Sequence, residues 1–483
     1  MAKSGHLCDM KDDSRLTSRI GRYTKVSATM AGLAARLAGE KFLGLNIDRD
    51  THARDLLAAL GALKGPIMKV AQILSTIPEA LPPEYARALQ ELQSNAPPMG
   101  WPFVRRRMKN ELGDGWEKKF KDFGHEAAAA ASLGQVHKAT LHDGRVVACK
   151  LQYPDMASAI EADLNQLKLI FSLYERADSA IDTSHIHEEL AVRLREELDY
   201  TLEAKYGAIY SDMLRDEKNI SVPEIVPELS TGRLLTSTWL DGRKILEFKD
   251  APQEQRNEIA MNLFRAWYVP LYYYGIIHGD PHLGNYSVRS DNGLNLLDFG
   301  CVRIFRPEFV GGVIGLYRAL QKNDTAQAVH AYESWGFKNL SKELIEVLNT
   351  WARFLYGPVL DDKVRVIGES KKRSEGGGMY GRETAAAVHK RLGELGAQSG
   401  GGLIIPREFV FMDRAALGLG SVFIHLQARV NWHTLFNEMI DGFDLAAMKK
   451  RQADILPRHG LSLEDAKTGE TGYNKKTTKR KKS

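Results

Sequence analysis

The order of patterns along the chain predicts an α+β fold of two lobes, predominantly helical, with an N-terminal helical extension. Three observations carry this expectation. A strand–turn–strand pattern at 133–151 is followed by long helical periodicity at 155–178 and 185–214. Further strand character at Val222–Leu240 closes on Asp241-Gly242. From Gln253 onward the pattern is helical, interrupted only at 275–302. Strands gathered ahead of helices in a chain of 483 residues imply a strand-rich small lobe and a helical large lobe, with a cleft between them.

The elements follow in chain order. Residues 1–54 form a leader with one helical stretch, Val26–Leu43. Its Ser27, Ala31 and Ala35 fall near one face, which suits close helix packing or contact with a membrane surface. Residues 55–115 form the helical extension, in which Leu56, Leu57, Leu60 and Leu63 recur near helical spacing. Pro66, Pro82 and Pro83 punctuate it. Pro97, Pro98 and Gly100 mark a linker before a short helix over Trp101–Leu112. The small lobe is placed at 116–241, its hairpin turning at Asp143-Gly144. The large lobe is placed at 242–455. Within it, Gly368–Gly381 carries Lys371, Lys372, Arg373 and three consecutive glycines and reads as a mobile loop. Residues 456–483 read as a disordered basic tail.

Composition narrows the function classes. The chain is 43% hydrophobic and 26% charged, an ordinary balance for a soluble domain. Cys8, Cys149 and Cys301 are few and odd in number, which argues against a disulfide framework and favours a reducing compartment. Cys149 and Cys301 read as small packing residues. Net charge is +5, and the last nine residues alone hold Lys475, Lys476, Lys479, Arg480, Lys481 and Lys482. The rest is close to neutral, which argues against nucleic acid as a partner. The tail is either a solubilising segment or a contact for anionic lipid, worth about 1 kcal/mol per basic residue near the headgroups. No apolar stretch reads as a signal peptide, and none reaches the roughly 18 residues of a membrane span. A cytoplasmic protein is expected, with any contact at the inner membrane peripheral.

The chemistry concentrates in His278-Gly-Asp-Pro-His-Leu-Gly-Asn285 and Asn295-Leu-Leu-Asp-Phe-Gly300. The spacing from Asp280 to Asn285 matches the catalytic loop of protein kinases, in which Asp faces the acceptor and Asn binds Mg²⁺. Asp298-Phe299-Gly300 matches the segment whose Asp holds the metal. Mg²⁺ prefers hard oxygen donors and leaves positions to water and phosphate, which a carboxylate and an amide oxygen satisfy. Either motif alone is weak; two in order, 18 residues apart from Asp280 to Asp298, are specific. Together they point to a bilobal protein-kinase-like fold.

Three further pieces fit this fold. Lys150 ends Val146-Val-Ala-Cys-Lys, as does the phosphate-contacting Lys of kinases. Its carboxylate partner is sought in the helix at 185–214. Glu203 is preferred, with Glu197 and Asp199 nearby; spacing alone does not choose among them. Where kinases carry a glycine-rich loop, this chain has Ala127–Ala131, Ser132 and Gly134. Methyl groups there narrow the approach of backbone amides to phosphate.

Taken together these residues resemble the UbiB family of atypical kinases (AarF/ADCK type), which supports ubiquinone biosynthesis. The resemblance runs through ordered motifs from about residue 55 to 305. It implies that the alanine-rich loop, with Ala129, Ala130, Ala131 and Ser132, lies over a nucleotide, ATP or ADP. It implies that Lys150 is the nucleotide Lys, Glu197 and Asp199 the Glu-x-Asp motif, and Glu203 the helix Glu. Asp280 would face the acceptor, and Asn285 and Asp298 would hold Mg²⁺. The family's Lys-x-Gly-Gln motif, on the extension that folds over the site, reads here Lys69-Val70-Ala71-Gln72, with Ala71 in place of the glycine. Lys69 and Gln72 are retained. Such an extension implies that peptide access is blocked.

Two departures from protein kinases agree with that: Gly279 stands where Arg is usual, and His282 where Lys is usual. The expected activity is Mg²⁺-dependent ATP hydrolysis or small-molecule phosphorylation. The implied partners are a lipid or quinone-precursor substrate and quinone-biosynthesis proteins. A nucleotide-gated scaffold with little turnover is the alternative, and a protein kinase the remote one.

Overall fold

The computed structural model describes residues 99–131, 133–162, 164, 165, 168, 184–367, 387, 388, 391 and 407–463. The expected helices at 26–43 and 55–92, Lys69, Gln72, Ser132, the loop at 368–381 and residues 464–483 of the basic tail lie outside these residues. The start of that tail is ordered, not disordered: Leu456–Arg458 close the last described helix, and Leu456 and Leu461 are buried. Two compact units emerge. The first runs to Tyr200 and takes in Pro227–Thr236; the second comprises Thr201–Val226 and everything from Ser237.

The first unit opens with helix α1 (Trp101–Leu112), which has Pro102 in its first turn and stops at Gly113, φ +85°. Val104, Arg107 and Met108 form its buried stripe. The chain then makes strands β1 (Asp122–Phe123), β2 (Ala129–Ala131), β3 (Gly134–Thr140) and β4 (Val146–Gln152), all pairings antiparallel. The β3–β4 hairpin turns at Asp143-Gly144, with Gly144 at φ +89°, a conformation glycine adopts freely. The Ala129–Ala131 stretch is therefore a strand paired with β3, Ala131 opposite Gly134, and not an open loop. Alternation puts Val147, Cys149 and Leu151 on the buried face of β4 and Lys150 on the other.

Arg107 ties α1 to the end of β4. Its Nε donates to Gln152 O at 3.2 Å and its Nη2 to Tyr153 O at 3.3 Å. Glu111 pairs with the same guanidinium and accepts from Thr231 Oγ1 at 2.7 Å.

Helix α2 (Ser184–Glu196) and helix α3 (Tyr200–Met213) replace the single helix expected over 185–214. The break has a cause: buried Gln152 donates its Nε2 to Leu198 O at 3.1 Å. That bond draws the carbonyl into the 197–199 turn. Strand β5 (Ile220–Ser221) precedes Val222–Leu240, within which strand β6 (Leu234–Thr238) forms and Ile225 makes a single bridge to Ser237. Pro223 and Pro227 lack the N–H that a longer ladder needs. β6 forms the edge of the first sheet, beside β4.

In the second unit, β7 (Arg243–Lys244) precedes the long helix α4 (Gln253–Tyr274). Then come β8 (Ile276–His278), β9 (Tyr286–Val288), β10 (Leu294–Leu296) and β11 (Val302–Ile304). One sheet has the order β5-β10-β9-β7 and a second pairs β11 with β8. The helices α5 (Pro307–Lys322), α6 (Thr325–Ser334) and α7 (Lys342–Leu360) follow. The short strands β12 (Arg365–Val366) and β13 (Arg429–Val430), which flank α8 (Arg407–Leu426), form a pair the periodicity does not reveal. Helices α9 (Trp432–Ile440) and α10 (Leu445–Arg458) end the described chain. Side chains of Asp324, Ser341, Asn431 and Asp444 cap α6, α7, α9 and α10 by accepting first-turn N–H groups. Trp267, Tyr317 and Trp432 lie fully buried in the core.

Gly275 joins α4 to β8 at φ +71°, and a Cβ there would lie 2.6 Å from Gln452 Nε2 and 3.0 Å from Phe305 O. Gly275→Ala should therefore lower unfolding free energy by about 2–3 kcal/mol, from left-handed backbone strain plus overpacking, as read by urea denaturation. His137 is fully buried in β3, its Nδ1–H donating to Gly124 O at 2.8 Å and its Nε2 accepting from Gln135 at 2.7 Å. Burial pushes this imidazole below its ordinary value, with the Gly124 bond acting in the opposite sense. A lowered folded value means the unfolded chain binds the proton better. Its stabilising contribution is thus present above about pH 6.5 and lost as pH falls below it. His137→Gln should flatten that part of the profile between pH 7.5 and 5.5 in denaturant melts.

Candidate active site

The frame of the site is the β8–β11 pair. Val302 lies opposite His278 and Ile304 opposite Ile276, and Gly279 N donates to Cys301 O at 2.5 Å. Residues 280–285 and 298–300 leave this base side by side. The β9–β10 hairpin adds the second constraint. Leu296 is opposite Tyr286, and Leu297 N donates to Asn285 O at 3.0 Å. Asp298 therefore follows directly on the residue bonded to Asn285.

Gly279 has a steric reason to be glycine. A Cβ would come 2.8 Å from Cys301 Sγ and 3.1 Å from Cys301 O. The Arg usual at this position has no room. His282 accepts from Gly284 N at 3.1 Å through Nδ1 and so caps the short turn Leu283–Asn285.

His278 joins the two motifs. Its ring is 2% exposed and sits among Trp267, Phe299 and Tyr210, with centroids 5.7, 5.9 and 6.1 Å away. Nε2 lies 2.5 Å from Asp298 O, and Nδ1 lies 3.2 Å from Asp280 N. A carbonyl only accepts and an amide only donates, so Nε2 carries the proton and Nδ1 accepts. Asp298 Oδ1 in turn accepts from Gly300 N at 2.9 Å.

Asp280 and Asn285 are in direct contact. Asn285 Nδ2 donates to Asp280 O at 3.0 Å and to Asp280 Oδ2 at 3.2 Å. This orients the amide, leaving Oδ1 as the acceptor for a cation. Among the described residues no cluster of three or more His, Cys, Asp or Glu forms a self-contained metal site. The donors here, one carboxylate at Asp298 and one amide oxygen at Asn285, fit a hard cation that takes its remaining ligands from phosphate and water. Tyr286, next in sequence, is fully buried; burial and then the Asp280 carboxylate push its phenol well above the ordinary value.

Glu203 is 4% exposed on α3. It lies one turn before Gly207, where a Cβ would meet Phe299 at 3.5 Å, and two turns before Tyr210, whose ring is 5.2 Å from that of Phe299. Glu203 thus belongs to the face of α3 that packs on Phe299.

The remaining expected residues belong to the first unit. Lys150 Nζ lies 5.2 Å from the centroid of Tyr200, a ring that is only 2% exposed and well placed to attract a cation. A Cβ on Gly134 would overlap Leu151 O and lie 3.0 Å from Tyr200 Oη, so the alanine hairpin closes tightly on β4 at this point. Glu197 and Asp199 stand in the turn between α2 and α3, not on a helix. Cys149 is fully buried, its thiol pushed up to about 12 by burial, which fits a packing role. Sequence reasoning passed over Tyr200, Gln152 and the bridging function of His278. Tyr200 directly follows the Glu197-x-Asp199 motif, and that adjacency was the available signal.

Replacing His278 by Leu removes both ring bonds while keeping bulk. The expected loss is about 2–3 kcal/mol of stability, with faster amide hydrogen exchange at 280–285 and 298–300 than in wild type. Unchanged exchange in both segments would show that the ring does not hold them.

Comparison with known proteins agrees with this geometry. The profile described as ABC1 atypical kinase-like domain matches residues 91–332. The chain is similar to the probable serine/threonine-protein kinase abkA of Dictyostelium discoideum, 30% identical over 332 residues, which are 62% of this chain and 58% of that protein. It is similar to the mitochondrial atypical kinase COQ8 of Saccharomyces cerevisiae, 30% identical over 320 residues, 62% of each protein. The match spans less than two thirds of these relatives' own length. Among solved structures it resembles that of the Rv3197–erythromycin complex from Mycobacterium tuberculosis, with 27% identity and a TM-score of 0.57, covering 82% of this chain and 97% of that one. With half of its 483 residues inside the matched domain and a kinase-like arrangement of loops around His278, the chain belongs to the ABC1 atypical kinase-like family.

Proposed function

We propose that this chain is a Mg²⁺-dependent, ATP-binding atypical kinase or ATPase that supports isoprenoid-quinone biosynthesis, acting on or with lipid intermediates. The observation that carries the reading is the bonded set of Asp280, Asn285 and Asp298 gathered by His278. Asp298 and Asn285 would hold the metal. Bound Mg²⁺ supplies charge neutralisation at the phosphate oxygens. Asp280 would orient the acceptor, water or a substrate hydroxyl, while its bonds to Asn285 keep it in register. Lys150 would contact the α/β-phosphates, with Tyr200 beneath its side chain, and Glu203 would hold Lys150. Ala129, Ala130, Ala131 and Ser132 would cover the nucleotide, and Glu197, Asp199, Lys69 and Gln72 would complete its enclosure. ADP would occupy the same site.

The lipid and quinone part rests on the resemblance to the UbiB family and on the names of the relatives. No helix among the described residues is long and apolar enough to cross a membrane, so the basic tail is the segment to test for surface contact. The scaffold reading draws on the methyl-lined Ala129–Ala131 strand in place of glycines, and it is separated by turnover.

Purified protein should hydrolyse ATP in the presence of Mg²⁺, and faster with anionic liposomes than without. Asp298→Asn should lower turnover by roughly 100-fold, the scale set by losing one charge-stabilising group. Equal turnover in both proteins sinks the enzymatic reading, and nucleotide-dependent stabilisation without hydrolysis establishes the scaffold. In a strain lacking the gene, wild type but not Asp298→Asn should restore quinone content.

A further inference from the structure

Gly418 lies within α8, and a Cβ placed on it would overlap Pro281 Cγ, with Pro281 Cβ 3.2 Å and Cδ 3.4 Å away. Pro281 directly follows Asp280. We propose that Gly418 is a positioning residue for the catalytic loop: the bare backbone of α8 is the seat for the Pro281 ring and sets where Asp280 and Asn285 stand. This rests on the roles given to Asp280 and Asn285 above.

The two sides of the contact differ in how they can yield. α8 is held at both ends. Near its start Glu408 pairs with Arg306 at 3.0 Å, and at its end Leu426 O accepts from Arg256 Nη1 at 3.2 Å. In between, Leu419, Val422 and Phe423 are buried in the core. The loop is less restrained, since His282 and Gly284 are exposed. A methyl group on residue 418 therefore moves the loop, not the helix. Pro281 cannot absorb the push by rotating, because its ring fixes φ. The displacement passes to Asp280, which is bonded to the His278 ring on one side and to Asn285 on the other. Restoring an ordinary carbon–carbon contact requires a shift of about 1.5 Å, and a misplacement of about 1 Å is already enough to cost about 100-fold in rate when a reacting group is displaced.

Helix propensity makes the test clean. Glycine is a poor helix former and alanine the best, so a purely structural role for residue 418 predicts that Gly418→Ala leaves turnover intact. The positioning role predicts the reverse. The full chain would be compared as wild type, Gly418→Ala, Pro281→Ala and the double variant, for kcat, KM for ATP and melting temperature. The expected result is a drop of about 10- to 100-fold in kcat for Gly418→Ala, with KM for ATP changed far less. In the Pro281→Ala background, which removes the Cγ that the new methyl meets, Gly418→Ala should cost less than about threefold. Equal costs in the two backgrounds, or a wild-type kcat for Gly418→Ala, overturn the proposal. Should Gly418→Ala not fold, the double variant decides: recovery on trimming Pro281 supports the contact, and no recovery overturns it. An Asp298→Asn control as active as wild type overturns the functional reading and this inference with it. An inactive control beside a fully active Gly418→Ala overturns the inference alone.

Discussion

A single imidazole joins the two segments that carry the candidate chemistry. His278 donates from one nitrogen to the backbone of Asp298 and accepts on the other from the backbone of Asp280. A ring buried to this depth is costly unless both nitrogens are satisfied, and here only the correct separation of the two loops satisfies them. The aromatic wall of Trp267, Tyr210 and Phe299 holds the ring in place. Because Phe299 also packs on α3, the face that presents Glu203 is built against the same residue.

The first unit places its residues by strand alternation. β4 buries every second side chain, so Lys150 must emerge on the face opposite Cys149 and Leu151. There it meets Tyr200. Gln152, two residues on, bonds the Leu198 carbonyl and so sets the turn between Glu197 and Asp199. Arg107 secures the strand end from α1. One short strand thus organises a cation, its aromatic neighbour and an acidic turn through contacts made by Lys150 and Gln152.

The parts legible in the sequence were those written in local pattern. The hairpin turn at Asp143-Gly144, the helix Trp101–Leu112 and the ordered motifs from His278 to Gly300 each depend on neighbours within a few residues. The break at 197–199 was not legible, because it is made by Gln152, distant in sequence. The strandlike reading of Val222–Leu240 held at Leu234–Thr238 and fell short before it, where Pro223 and Pro227 remove ladder donors and leave a single bridge from Ile225 to Ser237. The alanine run stands where kinases carry a glycine-rich loop, and alanine has no strand signature of its own; pairing with β3 makes Ala129–Ala131 a strand. The close approaches at Gly134, Gly279 and Gly418 are invisible in any local window, since each depends on an atom from another element.

The packing of Gly279 against Cys301 bears on how such a site changes through evolution. A chain of the usual protein-kinase type carries Arg where Gly279 stands, and here the thiol of Cys301 occupies the space its Cβ would need. A larger residue at 279 therefore needs room made at Cys301, by moving its side chain and easing back the backbone just before β11. The two positions are coupled, so a change at one is best tolerated when the other changes with it.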